Sequence, residues 1–113
     1  MFYPKRVTVE LTNKCNRSCP ECPRHKMTYP LGYMTKSLYR QIINQLPNET
    51  TIVPFFRGES TLHPQFPQFM KLLRRFQKIQ LATNGDHLTF QVRNAILKHV
   101  TFFSLSLHEE SMP

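Results

Sequence analysis

Four short runs rich in β-branched and aromatic residues recur through the chain: VTVEL at 7–11, TIVPFF at 51–56, KIQLA at 78–82 and TFFSLSL at 101–107. Such side chains pack well on a pleated surface, so each run predicts a strand. Every interval between them carries helical spacing. Leu38, Ile42, Ile43 and Leu46 make one apolar stripe, preceded by Thr35 as an N-cap. Phe66, Phe69, Met70, Leu73 and Phe76 make a second, and Leu88, Val92 and Ile96 a third, after a turn at Asn84–Gly85–Asp86. These stripes are packing faces. The order β-α-β-α-β-α-β predicts an α/β fold of parallel strands with right-handed crossovers. Pro54 argues against a regular strand throughout the second run, because proline has no N–H to give to the ladder.

In folds of this kind the strands deliver their loops to one shared face, and chemistry collects there. The polar oddities of this sequence all fall at those positions. CNRSCPEC (15–22) follows the first strand, RGES (57–60) the second and TNG (83–85) the third, and the fourth ends in SLSLH (104–108). A plain α/β domain has no need of that coincidence.

The chain has 113 residues, which suits one domain over 1–113 with no second domain. No apolar run approaches the roughly 20 residues of a membrane span. The opening MFYPKRVTVELT lacks the apolar core and cleavage site of a signal peptide. The expected compartment is cytoplasmic, with thiols reduced. The formal charge of +8 attracts anions, but the cations are dispersed. Only Lys71, Arg74, Arg75 and Lys78 form a local group, on a predicted helix end where positive charge suits the helix dipole. No recognition motif accompanies them, so nucleic acid is left out of the expected partners.

All three cysteines of the chain lie in Cys15-x3-Cys19-x2-Cys22. In a reducing compartment such a cluster points to metal or redox chemistry. A zinc site would need a fourth ligand, for which His25 is available, yet structural zinc sites usually draw on two separated pairs. A 4Fe–4S cluster takes thiolates, and three of them leave one iron open. A redox pair Cys19–Cys22 would leave Cys15 idle. Buried cysteines without function are the remaining reading.

VELTNKCNRSCPECPR resembles the opening of radical S-adenosylmethionine (radical SAM) enzymes, whose signature is CxxxCxxC in the loop after the first strand. FFRGESTLHPQF is similar to that family's Gly-Gly-Glu segment after strand 2, LATNG to its third-strand ending and FFSLSLHEE to its serine-bearing fourth strand. The CPR ending and the later TLHP look most like the group that carries SPASM or twitch extensions. The resemblance implies the first four strands of a partial TIM-type (β/α)6 barrel, truncated relative to the family core. It implies that Cys15, Cys19 and Cys22 bind a 4Fe–4S cluster whose open iron takes SAM. One electron from a reductase would then cleave SAM to a 5′-deoxyadenosyl radical that abstracts a substrate hydrogen. Gly58 and Glu59 would meet the SAM ammonium, and Thr83 and Ser106 its carboxylate or ribose. The unknown substrate would be a peptide or small molecule.

Three departures stand out. Glu21 occupies a position where the family prefers a large apolar residue, and Arg57 replaces the first glycine of Gly-Gly-Glu. The chain also stops after strand 4, leaving FFSLSL as an open apolar edge. A fragment, or a partner chain that completes the barrel, is the expectation. The reading from a different class is a non-catalytic metal- or cluster-binding basic module, either a truncated remnant or a domain that holds nucleic acid or a protein. His63 and His108 are expected at the surface or as caps.

Overall fold

The structure, a computed structural model, describes residues 4–15 and 31–105. Its elements run β1 (Arg6–Thr8), α1 (Lys36–Ile43), β2 (Thr51–Val53), a one-turn 3-10 helix (Ser60–Leu62), α2 (Phe66–Leu72), β3 (Lys78–Thr83), α3 (Phe90–His99) and β4 (Phe102–Leu105). The strands form one sheet in the order β1-β2-β3-β4, parallel throughout. The expected alternation is therefore present. Because the strands advance across the sheet in one direction, crossovers of one hand carry the helices to one side. α2 packs against α3 there.

The strands are shorter than the sequence runs. β1 pairs only Arg6, Val7 and Thr8 with Thr51, Ile52 and Val53, and Val9 N–H adds one bond to Val53 O at 3.0 Å. β2 stops at Val53 because Pro54 follows, as the missing donor requires. Pro54 is nevertheless buried, and its carbonyl accepts from Ser60 Oγ at 2.7 Å.

The core gathers Leu11, Tyr39, Ile52, Phe66, Phe69 and Leu73, all fully buried, with Ile79 and Leu81 from β3. Each such side chain contributes about 1.5–3 kcal/mol by leaving water. The expected α1 stripe is rotated by one residue. Leu38 is 48% exposed and Tyr39 takes the core position. Thr35 caps α1 as expected, accepting from Leu38 N–H at 3.2 Å. That cap fixes the rotation that turns Tyr39 inward, where its ring meets Phe69 edge-on at 4.9 Å. Its hydroxyl donates to Val9 O at 3.4 Å, and burial pushes the phenol pKa up.

Arg75 ties α1 to the end of α2. Its guanidinium donates to the carbonyls of Ile43 and Leu46 (2.8 Å to the latter) and to Asn48 Oδ1 at 2.6 Å. The last carbonyls of a helix have no partner within it, and here a charged donor supplies one. Arg75→Ala is expected to cost about 1–2 kcal/mol, read as a thermal midpoint lowered by several degrees. An unchanged midpoint would show that water replaces the guanidinium without loss.

β4 is exposed along its length, with Phe102 at 63%, Phe103 at 43% and Leu105 at 47%. Among the described residues it is an uncovered sheet edge, as expected.

Candidate functional site at the strand ends

β3 alternates strictly. Ile79, Leu81 and Thr83 are buried while Gln80 and Ala82 are half-buried, the period of two that a pleated strand imposes. Thr83 therefore continues a core-facing row and brings a hydroxyl to its end. That hydroxyl donates to Glu59 Oε2. Thr61 Oγ1 donates to the same oxygen at 2.6 Å, and Thr61 N–H lies 3.4 Å from it. Glu59 Oε1 accepts from Asn84 N–H at 2.8 Å. Glu59 is 5% exposed. A carboxylate this deep is tolerated because charge-assisted donors surround it. It caps the 3-10 turn and splices the loop after β2 to the end of β3.

Gly58 sits where the loop after β2 crosses the segment leading to the cysteines. A Cβ there would lie 2.2 Å from Thr12 O and 2.6 Å from the Asn13 carbonyl carbon, so only glycine allows the approach. The contact is then bonded on both sides. Glu59 N–H donates to Lys14 O at 2.7 Å. Glu10 Oε1 accepts from Arg57 N–H at 2.6 Å and from Gly58 N–H at 3.0 Å. Arg57 needs no glycine-like backbone, since among the described residues only Gly85 has a positive φ. The Arg57 guanidinium lies 4.9 Å over the exposed Phe56 ring.

These bonds fix the entrance to the cysteine segment. Thr12 pairs with Tyr33 in an antiparallel bridge, and Thr12 Oγ1 donates to Gly32 O at 2.6 Å. Gly32 N–H donates to Asn13 Oδ1 at 2.8 Å, and Met34 N–H to Leu11 O at 2.8 Å. Both ends of segment 15–31 are thereby clamped together. His63 braces the exit. Gln65 N–H donates to its Nδ1 at 3.0 Å, which leaves Nε2 as the donor to Met34 O at 2.7 Å. His63 is buried, not a surface residue, and caps the 3-10 turn at its C-terminal end.

Cys15 emerges from this clamp half-buried, as a free thiol, with Asn84 Nδ2 4.0 Å from its sulfur. The structure thus brings together Cys15, Gly58, Glu59 and Thr83, drawn from the ends of three successive strands. Cys19, Cys22 and Ser106 lie outside the described residues, as do Glu21, His25 and His108. Among the described residues no three metal-ligating side chains gather. Glu10, Thr12 and Asn13 join the site with no motif to mark them, and Asn84 does more than its turn position suggests. It is a turn residue, its Oδ1 accepting from Asp86 N–H at 3.0 Å ahead of Gly85 at φ 80°. It also faces the thiol. Glu10 was legible as a carboxylate inside an apolar run, out of register with Val7, Val9 and Leu11.

The arrangement defines a parallel α/β sheet with a polar site at the C-terminal ends of its strands. No protein-family profile matches the chain. Over 89 residues it is 32% identical to 7,8-dihydro-6-hydroxymethylpterin dimethyltransferase of Methanocaldococcus jannaschii, covering 73% of this chain and 17% of that protein. Over 88 residues it is 28% identical to the putative peptide biosynthesis protein YydG of Bacillus subtilis, covering 74% and 28%. The chain therefore spans less than a third of the length of these curated relatives. Among solved structures, BtrN in complex with AdoMet and 2-DOIA superposes with a TM-score of 0.79 at 25% identity, over 93% of this chain and 46% of BtrN. BtrN in an open conformation gives 0.76 and 50% of its chain. This chain shares the fold of about half of BtrN. Among the described residues no helix is long and apolar enough to cross a membrane.

Proposed function

We propose that this chain is the cluster-bearing part of a radical SAM enzyme. The observation that carries the reading is the convergence of Cys15, Gly58, Glu59 and Thr83 at the ends of β1, β2 and β3. Similarity to a structure solved with AdoMet supports it. The residues fit the cofactor pair. Cys15 offers a half-buried free thiol at the mouth of a clamped segment that also contains Cys19 and Cys22. Three thiolates hold a 4Fe–4S cluster and leave one iron open. When bound and reduced, such a cluster would supply one electron to SAM, whose carbon–sulfur bond would break to give methionine and a 5′-deoxyadenosyl radical.

The protein's own part is binding, orientation and exclusion of water. Glu59 Oε2 accepts from Thr61 and Thr83, while among the described residues Oε1 accepts from Asn84 N–H alone, which leaves it a lone pair for the SAM ammonium. The Thr83 hydroxyl donates its hydrogen bond to Glu59, so its contribution to SAM is to hold that carboxylate in place. Ser106 is assigned to the ribose or carboxylate by resemblance. Asn84 Nδ2 directs a weak donor at the Cys15 sulfur. A one-electron reductase, a peptide or small-molecule substrate, and a further β-α segment or partner chain covering β4 complete the reading.

Anaerobic reconstitution with iron and sulfide tests the ligand set. The wild-type chain is expected to bind about four irons and four acid-labile sulfides per chain. Cys19→Ala is expected to lose the cluster, since two thiolates hold it poorly. Zinc in place of iron and sulfide would turn the assignment toward a non-catalytic metal-binding module. A Cys19→Ala protein with a full 4Fe–4S spectrum would remove Cys19 from the ligands.

A further inference from the structure

The helical side of the sheet carries a second concentration of polar chemistry, remote in sequence from the cysteines. Between α1 and α2 lies an open groove of about 650 Å³. Lys36 and Arg40 line it from α1, and Lys71, Arg74 and Arg75 from the end of α2, with Asn44 and Gln68 as further polar groups. Among the described residues no carboxylate lines it. Arg75 is committed to capping α1, and the described residues give Lys36, Arg40, Lys71 and Arg74 no acidic partner in the groove. Lys71 also lines an adjoining groove of about 240 Å³ between α2 and α3, with Lys98, His99, Asn94 and Phe90. The two grooves share Lys71, so together they define a strip across three helices. Burial and the charges of Lys98, Arg74 and Lys71 push the His99 pKa down, as a sustained positive field would.

Phe90 is the unexpected member. It is the first residue of α3, 70% exposed, and contributes nothing to the core. An exposed ring beside a run of cations is the combination that holds single-stranded nucleic acid. The cations neutralise phosphates, and the ring stacks an unpaired base. An acidic peptide fits less well. Its carboxylates would meet the cations, but the exposed Phe90 ring offers a carboxylate nothing, whereas it gives an unpaired base a stacking face.

We propose that the α1–α2–α3 strip is a binding site for single-stranded nucleic acid, with phosphates along Arg40, Lys71 and Arg74 and a base stacked on Phe90. The linear sequence hides the site. Lys36, Arg40, Lys71, Arg74 and Phe90 come from three helices and the turn after α2, and only the Lys71–Arg75 portion is contiguous enough to notice. The binding lacks base specificity, because the described surface offers one π-face and no ordered set of base-edge donors.

Fluorescence anisotropy of the 113-residue chain with a labelled twelve-nucleotide oligouridine tests this. Arg40→Gln/Arg74→Gln is expected to weaken binding about tenfold and to reduce the slope of log Kd against log salt by about 1.4, at about 0.7 per cation. Phe90→Ser is expected to weaken binding by at least about fivefold with the salt slope unchanged, as loss of stacking requires. Arg93→Gln removes one charge from α3 outside the strip and is expected to bind like the parent. All four altered residues are exposed, so circular dichroism should show an unchanged fold. The proposal is overturned if Arg93→Gln weakens binding as much per charge as the double variant. It is overturned equally if Phe90→Ser is silent, or if polyglutamate of matched charge displaces the oligonucleotide as well as unlabelled oligouridine does. The last result would assign the strip to an acidic protein instead.

Discussion

Glu59→Ala is expected to lower the folding stability of this chain by about 3–5 kcal/mol. The carboxylate is nearly sealed from water and takes hydrogen bonds from Thr61 Oγ1, Thr83 Oγ1 and Asn84 N–H. Alanine leaves all three donors without their acceptor. Stranding a buried donor costs about 1–3 kcal/mol, and hydrogen bonds to a charge lie at the upper end. The two hydroxyls can rotate to recover part of this, whereas the Asn84 amide is fixed in the backbone. A domain of this size typically has about 5–15 kcal/mol in total, so the loss is a large share. Glu59→Gln keeps one acceptor oxygen and is expected to lose less. The readout is the urea midpoint at constant slope. A Glu59→Ala midpoint within about 0.5 kcal/mol of the parent would mean that the carboxylate is not a brace. The same substitution is expected to weaken SAM binding to the reconstituted protein, and the Gln variant separates the two effects, because it keeps the brace better than it keeps the charge.

Gly58→Ala is the second large effect, and its cause is steric. The added carbon meets the carbonyl oxygen of Thr12 and the backbone of Asn13, none of which can swing aside as a side chain would. Either the loop after β2 lifts away or the segment before Cys15 is displaced. Both break the bond from Glu59 N–H to Lys14 O and slacken the paired contacts of Glu10. Overpacking of this kind costs about 1–3 kcal/mol and more where backbone must move, so about 3 kcal/mol is expected here. Gly32→Ala supplies the control. An added Cβ there meets nothing within 4 Å, so this variant should match the parent closely. Equal effects from the two glycines would contradict a specific close approach at Gly58.

What the sequence disclosed, and what it hid, follow from how each signal is carried. Alternation of strand and helix runs is a coarse, redundant pattern, and it correctly gave four parallel strands. Strand ends were less legible, because β1 depends on its pairing with β2 rather than on the apolar run to Leu11. The α1 stripe pointed to Leu38 over Tyr39, since periodicity reports a face only to within a residue. The side-chain cap at Thr35 and the ring contact with Phe69 decide it. At the site, Gly58, Glu59 and Thr83 were visible because short motifs fall at predicted strand ends. Their mutual bonds were not visible, since they join residues 24 or more positions apart. Glu10 and the Thr12–Tyr33 clamp escaped notice for the same reason. His63 was expected at the surface or as a cap. It is a cap, at the end of the 3-10 turn, but a buried one, because the segment around Met34 folds back over it, which no local pattern announces.

The account turns on whether the clamped cysteine segment holds a cluster with an open iron. The most direct measurement is the electron paramagnetic resonance spectrum of the anaerobically reconstituted, reduced chain, recorded with and without SAM. The prediction is a reduced 4Fe–4S signal whose g-values shift when SAM is added, because SAM ligates the iron that the three thiolates leave free. A chain that assembles no cluster, or one whose signal ignores SAM, would contradict a working cofactor site at the ends of β1, β2 and β3.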